Sequence, residues 1–294
     1  MKVEKTWPDD TFVEDKGQEH YCGSHWQPFF ENGADGVLDR LPGILQDAVL
    51  RDTYSSFFTG PRDTPADWTR GFCLYWPNRH QGLVVPFRIT ADTNEFMNIS
   101  PFAGSGAQAG IEIGKVHVWD GGAEAQIEGI WGESPVTFYD CHFLGNRAWY
   151  GTGERREFVL AGIAYDARAP EVNEVEMDPD SPFSIWAQTH AGQTKEQATR
   201  LNLEGSSMFF PLRAPDWDRD DYRFRGPVLD VTPFDDWLGQ SGWKARVRVM
   251  EFENETAELD IFLTKRAWDS SEPPRVGQDI EGCLWLQGWL WSAG

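Results

Sequence analysis

The chain has 294 residues, and its 26 basic and 47 acidic side chains give a formal net charge of -21. A field of this sign repels nucleic acids and anionic membrane surfaces and attracts basic proteins or divalent cations, so it disfavours direct nucleic-acid binding. The 15 Trp and 19 Phe residues supply the apolar bulk of a packed core, which excludes a disordered protein.

The first periodic segment predicts a helix. Its apolar residues recur at three- and four-residue steps, at Val37, Leu38, Leu41, Ile44, Leu45 and Val49. Pro42 predicts a bend or the start of a second half, because proline is tolerated only near the beginning of a helix. The N-terminal residues resemble no signal peptide, and no run approaches the roughly 18 apolar residues of a membrane span. We therefore expect a cytoplasmic protein.

Short runs rich in branched and aromatic residues predict strands from residue 71 onward. In the first half they are 72–76, 82–90, 95–100, 111–119, 123–131, 135–140 and 157–165. The glycine-rich segment 104–110 predicts a flexible loop among them. Strands spaced this closely, without helices between them, favour a barrel or sandwich over a parallel α/β sheet.

Residues 166–182 predict an exposed connection between two domains, because they hold six acids, one Arg and three prolines. We expect an N-terminal β-rich domain with an early helix over 1–165 and a C-terminal β-rich domain over 183–294. In the second domain, Thr194 and Gln197 predict a capping box and a helix that ends at Gly205. Strands are predicted at 243–252, 257–264 and 278–291.

The two halves share a strand pattern, YGTGERREFVLAGIAY at 150–165 and RVGQDIEGCLWLQGWLW at 275–291. Each has a glycine turn (Gly153, Gly277) and then a long strand with an internal glycine (Gly162, Gly288), which marks a bulge or a barrel corner. The pattern resembles the strands of small barrels of the oligonucleotide/oligosaccharide-binding type. From this resemblance we predict only the architecture and no function. The expected fold is mainly β, that is, a β-rich α+β fold with a few short helices. We expect two small antiparallel units, each barrel- or sandwich-like, with OB-like barrels as one alternative.

One cluster has the residue types of a zinc site. His20, Cys22 and His25 follow the spacing H-x-C-x2-H and could present three donors from one loop. Structural zinc sites usually add a second close pair of ligands, and the sequence fixes no such pair. Chance clustering is therefore the favoured interpretation, with these three residues as the metal candidates and no cofactor expected.

An acidic loop further along is a candidate partner-binding surface. Asp216, Asp218, Asp220 and Asp221 alternate like the start of a calcium loop. The sixth position is an Asp rather than the turn glycine, and the twelfth is Pro227 rather than Glu. The pattern favours a solvated acidic loop that a basic partner could contact.

The C-terminal tryptophans are candidates for ligand binding. Trp285, Trp289 and Trp291 would share one face of a strand, with leucines largely on the other. Core packing is the favoured interpretation. The alternative is an aromatic platform for sugars or bases, which makes Trp285 and Trp289 the binding candidates.

Two further strand patterns have structural explanations. Asp140 and His142 would share a face and form a hydrogen-bonded pair, while Cys141 points the other way and cannot pair with His142 as a nucleophile. The basic residues Lys244, Arg246 and Arg248 also share a face. Acids at 251–258 follow them, which predicts cross-strand ion pairs without a ligand.

Three classes of function stay open, and no common catalytic motif is present. The favoured class is a non-enzymatic adaptor whose acidic face engages a basic protein. The second is a nucleic-acid mimic that inhibits a DNA- or RNA-handling enzyme. The third is a carbohydrate- or nucleotide-binding module or hydrolase that uses carboxylates. Its discriminating sign is two facing carboxylates in an aromatic-lined pocket, one with a raised pKa. The oligomeric state stays undetermined.

Overall fold

The fold is that of a computed structural model, which describes residues 11–15, 24–51, 70–77, 81–213, 217–253 and 255–291. Within these ranges lie seventeen strands: β1 Phe12–Asp15, β2 Val49–Arg51, β3 Gly71–Pro77, β4 Gln81–Ile89, β5 Asn94–Phe96, β6 Ser100–Ala103, β7 Ala107–Trp119, β8 Ala125–Trp131, β9 Ser134–Asp140, β10 Arg155–Arg168, β11 Glu174–Glu176, β12 Arg200–Asn202, β13 Met208–Pro211, β14 Asp221–Trp237, β15 Gln240–Glu251, β16 Thr256–Thr264 and β17 Asp279–Leu290. The α-helices of the same ranges are short: α1 Asp35–Leu38, α2 Leu41–Asp47, α3 Phe143–Asn146, α4 Pro182–His190 and α5 Lys195–Ala198. None of them is long and apolar enough to cross a membrane.

Ten strands form one mixed sheet in the order β1-β7-β8-β9-β17-β10-β16-β15-β14-β13. Additional pairings, β7 with β10 and β14 with β17, close a ring of eight strands that is not a barrel. The antiparallel pair β10–β17 lies at the centre of this ring. Three pairings are parallel: β1–β7, β10–β16 and β9–β17.

The central pair separates two hydrophobic cores. On β10, Leu160 belongs to the core enclosed by the ring, whereas Ile163 belongs to the core under a smaller antiparallel sheet. On β17, Leu284 and Trp285 divide between the same two cores. Successive side chains of a strand point to opposite faces, so strands that are apolar on both faces must be covered on both.

The mainly β prediction with a few short helices is confirmed. The structure differs from the expected pair of small antiparallel units, because strands from both halves join one mixed sheet whose ring is not a barrel. The cause is that the two long strands with the shared pattern pair with each other. The domain limits at 165 and 183 stay a prediction, although β10 continues to Arg168 and the connection after it is mostly exposed.

The smaller sheet has the order β2-β3-β4-β5, with β6 added on β4. Helices α1 and α2 precede it, and Pro42 lies in the first turn of α2, as the sequence predicts. The predicted helix ends earlier than expected, because Val49 already belongs to β2. The capping box of Thr194 and Gln197 is confirmed, but α5 lasts one turn and β12 follows at Arg200, so the expected helix to Gly205 is wrong.

The internal glycines of the central strands mark close packing, and the predicted bulge lies elsewhere. The β10–β17 register runs without interruption past Gly162 and Gly288, and it shifts only between Ala164 and Asp166. A Cβ at Gly288 would lie 2.6 Å from a Cδ atom of Leu160, far inside normal contact. These glycines therefore let the two strands and their neighbours approach one another.

Cross-strand ion pairs are present between β15 and β16, but their main acid is Asp260, which lies beyond the predicted acids at 251–258. Arg246 lies opposite Asp260, and its Nε and Nη2 donate to the two carboxylate oxygens at 2.8 and 3.2 Å. The Lys244 Nζ is 3.4 Å from the same carboxylate. The Asp260 side chain is buried, whereas that of Glu258 is 40% exposed.

We expect Asp260→Asn to lower the free energy of unfolding by about 2 kcal/mol, because hydrogen bonds to a buried charged group contribute about 1.5–3 kcal/mol. Urea denaturation of the full chain measures this loss. The matched variant Glu258→Gln removes an exposed acid 4.0 Å from Arg246 and should change the free energy by less than about 0.5 kcal/mol. Equal effects for the two variants would contradict the assignment.

Candidate functional site

The structure brings three separately predicted candidates into one place. His25, Asp218, Asp220 and Asp221, called here the His–Asp cluster, lie together at the start of β14, and Trp285 of β17 packs against them. Ligand atoms of His25, Asp220 and Asp221 all lie within 4.8 Å of one another. These three side chains are buried, whereas that of Asp218 is 41% exposed.

The segment that carries His25 is held by side chains from the opposite end of the chain. His25 lies in a short 3-10 turn, Ser24–Trp26, and Trp26 is buried in the second core. Thr264 and Gln240 donate to the backbone carbonyls of Pro28 and Phe29. Because these hydrogen bonds fix the backbone directly after the turn, they also help to fix the position of the His25 imidazole.

The aspartates are positioned by a turn that docks on β17. The amide of Asp221 donates to the carbonyl of Asp218, and the amide of Asp218 donates to Asp221 Oδ2 at 2.9 Å. The amide of Leu286 donates to the carbonyl of Asp220 at 2.9 Å. The turn therefore directs the carboxylates of Asp220 and Asp221 into the protein, where side chains of β17 and β10 donate hydrogen bonds to them.

Aromatic groups surround the His–Asp cluster and orient it. The indole of Trp285 stacks on His25 at 3.9 Å with an interplanar angle of 5°, and its Nε1 donates to Asp220 Oδ2 at 3.1 Å. The Tyr165 hydroxyl donates to Asp221 Oδ1 at 2.5 Å. Each buried carboxylate thus has a fixed donor that holds it in one orientation.

Electrostatic repulsion and burial shape the protonation of the cluster. The pKa of Asp221 rises to about 7, first because burial removes water from the carboxylate and then because the Asp220 charge repels it. The Tyr165 hydroxyl bond opposes this rise. Burial and the adjacent Asp221 charge in turn raise the pKa of Tyr165 well above its ordinary value, so this side chain remains a hydrogen-bond donor at neutral pH.

A surface cavity of about 580 Å³ adjoins the cluster at Tyr165. Its lining mixes charges of both signs: Arg168, Arg223, Arg266, Asp166, Asp269 and Glu281. The phenol of Tyr165 reaches from this cavity to Asp221. Tyr165 therefore lies between the cavity and the buried carboxylate of Asp221.

The other predicted site residues have different positions. His20, Cys22 and Asp216 lie outside the described residues, so the zinc loop and the first acid of the acidic loop stay predictions. Trp289 is half-buried, its ring lies 5.7 Å from that of His142, and it lines a groove with Trp291. A partner-binding role for the acidic loop stays a prediction, and Asp218 is its described member with an exposed side chain.

A second buried polar network lies at the end of β9. The Tyr150 hydroxyl donates to Asp140 Oδ2 at 2.5 Å, and the amide of His142 donates to Asp140 Oδ1 at 3.0 Å. The Tyr75 hydroxyl and His142 Nδ1 are 2.5 Å apart. Burial raises the pKa of Asp140 to about 7, although both hydrogen bonds oppose the rise. The predicted contact between Asp140 and His142 therefore runs through the backbone of His142.

Cys141, between these two residues, is a buried free thiol. Burial and the adjacent Asp140 charge raise the pKa of its thiol well above the ordinary value. Its Sγ contacts Gln287 Oε1 at 3.6 Å, and the Gln287 amide is itself bound to the carbonyl of Pro101. The thiolate is the nucleophilic form of cysteine, so burial and the raised pKa disfavour this thiol as a nucleophile.

Among the described residues, several exposed large apolar side chains lie on one segment, the 171–204 excursion, which comprises β11, α4, α5 and β12. Its exposed large apolar side chains are Val172, Val175, Phe183, Ile185 and Trp186. Residues 171–190 hold five acids and no Lys or Arg. At the base of the excursion, Arg225 donates to the carbonyl of Val172 and to the side chain of Asn173. The sequence predicts the acidity of this segment, but not α4 or its exposed aromatics.

Comparison of the chain with protein-family models, curated proteins and solved structures finds no match.

Proposed function

We propose that the protein is a non-enzymatic adaptor that binds a basic protein partner through its acidic surface, with the 171–204 excursion as the contact element. The observation that carries this proposal is the combination of acidity and exposed apolar side chains on one segment of the chain. The cytoplasm is the proposed compartment.

The apolar part of the excursion is unusual for a surface helix. In α4, Ser184 and Ala187 are buried, while Phe183, Ile185 and Trp186 face solvent. Trp186, which is 54% exposed, stacks on His190 one helical turn later. Exposed apolar groups concentrated in a short segment are typical of protein-binding surfaces, and tryptophan often anchors them.

The charged part of the excursion supplies long-range attraction. Its acids directly precede α4 in the sequence, so the proposed partner offers basic residues beside an apolar contact. Electrostatic complementarity of this kind raises the association rate and is weakened by salt. The whole-chain charge of -21 acts in the same direction.

We expect proteins captured from host extract at low salt to be basic and to be lost at high salt. The triple variant Glu174→Gln, Glu176→Gln and Asp180→Asn should lose this capture. A control variant with three exposed acids replaced elsewhere, Glu133→Gln, Asp269→Asn and Glu272→Gln, should retain it. Mass spectrometry identifies the captured proteins. Capture that is insensitive to salt, or equal losses for both variants, would refute the excursion as the contact element.

The nucleic-acid mimic remains a second proposal, supported by the same charge. In that case the captured protein handles DNA or RNA, and its basic channel receives the acids in place of phosphates. Double-stranded DNA added to the captured complex should then displace the protein in proportion to its concentration. A partner that binds DNA and the protein at the same time would exclude mimicry.

The hydrolase proposal gains one observation from the His–Asp cluster. Asp220 and Asp221 are neighbouring carboxylates among aromatic rings, and the pKa of Asp221 is raised to about 7. Both carboxylates are buried, so a glycoside or nucleotide would have to displace Tyr165 to reach them. For this reason the adaptor proposal takes precedence.

A further inference from the structure

We propose that His25, Asp220 and Asp221 bind one divalent transition-metal ion. The proposal is independent of the adaptor function, because the ion would lie in the second core, where these side chains are buried.

The donor atoms are separated as metal ligands are and not as hydrogen-bond partners are. His25 Nε2 lies 3.9 Å from both Asp218 Oδ2 and Asp221 Oδ1, which is longer than any hydrogen bond. Ligand atoms bonded to a tetrahedral zinc ion at about 2.0–2.2 Å are roughly 3.4 Å apart. The ligand atoms of His25, Asp220 and Asp221 lie within 4.8 Å of one another, so binding would draw them together by up to about 1.4 Å.

The second shell of a metal site is already in place. Trp285 Nε1 holds one oxygen of Asp220 and the Tyr165 hydroxyl holds one oxygen of Asp221. Asp221 Oδ2 also accepts the Asp218 amide, so a metal ion would share a carboxylate oxygen of Asp221 with one of these donors. The stacked indole of Trp285 also fixes the plane of the His25 ring. Such outer partners orient ligands and are a regular part of protein metal sites.

Charge balance favours a cation at this position. Two adjacent carboxylates in a low-dielectric core repel each other, and Asp218 adds a third acid at the solvent side. A divalent ion would offset two negative charges at once. Asp218 could complete the ligand set from its exposed position and marks a path by which the ion enters.

The donor set selects the class of metal. One imidazole nitrogen with two carboxylate oxygens suits Zn²⁺, Mn²⁺ or Fe²⁺, whereas Ca²⁺ and Mg²⁺ prefer oxygen ligands alone. Among these, affinity should follow the general order for divalent ions, with Zn²⁺ bound more tightly than Mn²⁺.

The test is calorimetric titration of the chelator-treated full chain with Zn²⁺, Mn²⁺, Ca²⁺ and Mg²⁺. We expect one Zn²⁺ per chain, weaker Mn²⁺ binding, and no saturable binding of Ca²⁺ or Mg²⁺. Zinc at about a hundredfold above its dissociation constant should raise the melting temperature by about 5 °C. Absence of stoichiometric zinc binding would overturn the proposal.

Conservative variants locate the site. Asp220→Asn and Asp221→Asn keep the side-chain shape and an oxygen for Trp285 or Tyr165, and each should weaken zinc binding at least about tenfold. His25→Gln should do the same, whereas the exposed control Glu133→Gln should bind zinc like the wild type. If His25→Gln loses zinc while both Asn variants keep it, the ion belongs to other residues and the proposal fails.

A spectroscopic readout on the unaltered protein covers the case in which the variants do not fold. Cobalt(II) in place of zinc should give the visible absorption of a site with nitrogen and oxygen ligands. A strong near-ultraviolet thiolate-to-cobalt band would instead assign the ion to a cysteine and overturn the ligand set.

Discussion

Between about pH 4 and pH 7, the wild-type protein should lose up to about 4 kcal/mol of unfolding free energy relative to its Asp140→Asn variant. Burial raises the pKa of Asp140 from 3.8 to about 7 in the folded protein. Above pH 3.8 the carboxyl group of the unfolded chain releases its proton, whereas the folded protein retains it. Stability therefore falls as pH rises through this window, by about 1.4 kcal/mol per pH unit, and levels off above pH 7.

Asparagine reproduces the protonated form of the Asp140 side chain. It keeps one oxygen that can accept the amide of His142, and its amide group can meet the Tyr150 hydroxyl as the protonated carboxyl does. The variant therefore buries no charge at any pH. The pH dependence of its unfolding free energy should come only from the other ionisable groups. These groups are the same in both proteins, so their contribution cancels when the variant is subtracted from the wild type.

Chemical denaturation of both proteins at closely spaced pH values measures this difference. The exposed control Asp269→Asn should run parallel to the wild type across the whole range. A difference between wild type and Asp140→Asn that stays constant from pH 4 to pH 7 would show that Asp140 titrates with an ordinary pKa. A difference that grows with falling pH would reverse the assigned direction.

Local patterns were sufficient to predict several elements. The alternating bases Lys244 and Arg246 predicted cross-strand ion pairs, although the acid found is Asp260 rather than one at 251–258, and the T-x-x-Q pattern predicted the cap of α5. Pro42 predicted where α2 begins. In each case neighbouring residues in the sequence determine the structure, because the periods of helices and strands and their capping bonds are short-range properties.

The longest strand, β14, was not predicted. Its sequence contains Pro227 and Pro233 and several acids, which together are typical of a turn-rich loop. Its register with β15 shifts twice, between Val228 and Asp230 and between Phe234 and Trp237. Strand pairing on both sides outweighs the poor propensity of these residues, and such tertiary effects leave no short-range pattern.

The His–Asp cluster could be predicted only as separate parts. The sequence singled out His25, the acids at 218–221 and Trp285 for three different reasons. Their meeting depends on the pairing of β14 with β17, which places Asp221 opposite Trp285. Tyr165 joins through the β10–β17 pair. Non-local strand pairing of this kind cannot be read from one sequence.

Trp285 joins the cluster to the second core, and its removal should have the second large effect. We expect Trp285→Ala to lower the unfolding free energy by about 3–5 kcal/mol, since truncation of a buried tryptophan leaves a cavity. The side chain is fully buried, stacks on His25 and contacts Tyr139 at a ring distance of 5.3 Å. The loss also removes the indole donor from Asp220, which costs further free energy because that carboxylate is buried.

Trp291 provides a matched control from the same chain segment. It follows β17 directly and is 45% exposed, so Trp291→Ala should cost less than about 1 kcal/mol. Trp285→Phe separates packing from hydrogen bonding, because it keeps a stacked ring and removes only the donor to Asp220. We expect its loss to be about 1.5–3 kcal/mol, between those of the two alanine variants. If Trp285→Ala and Trp291→Ala cost the same, Trp285 does not fill the core, and neither ring has the role that its burial assigns to it.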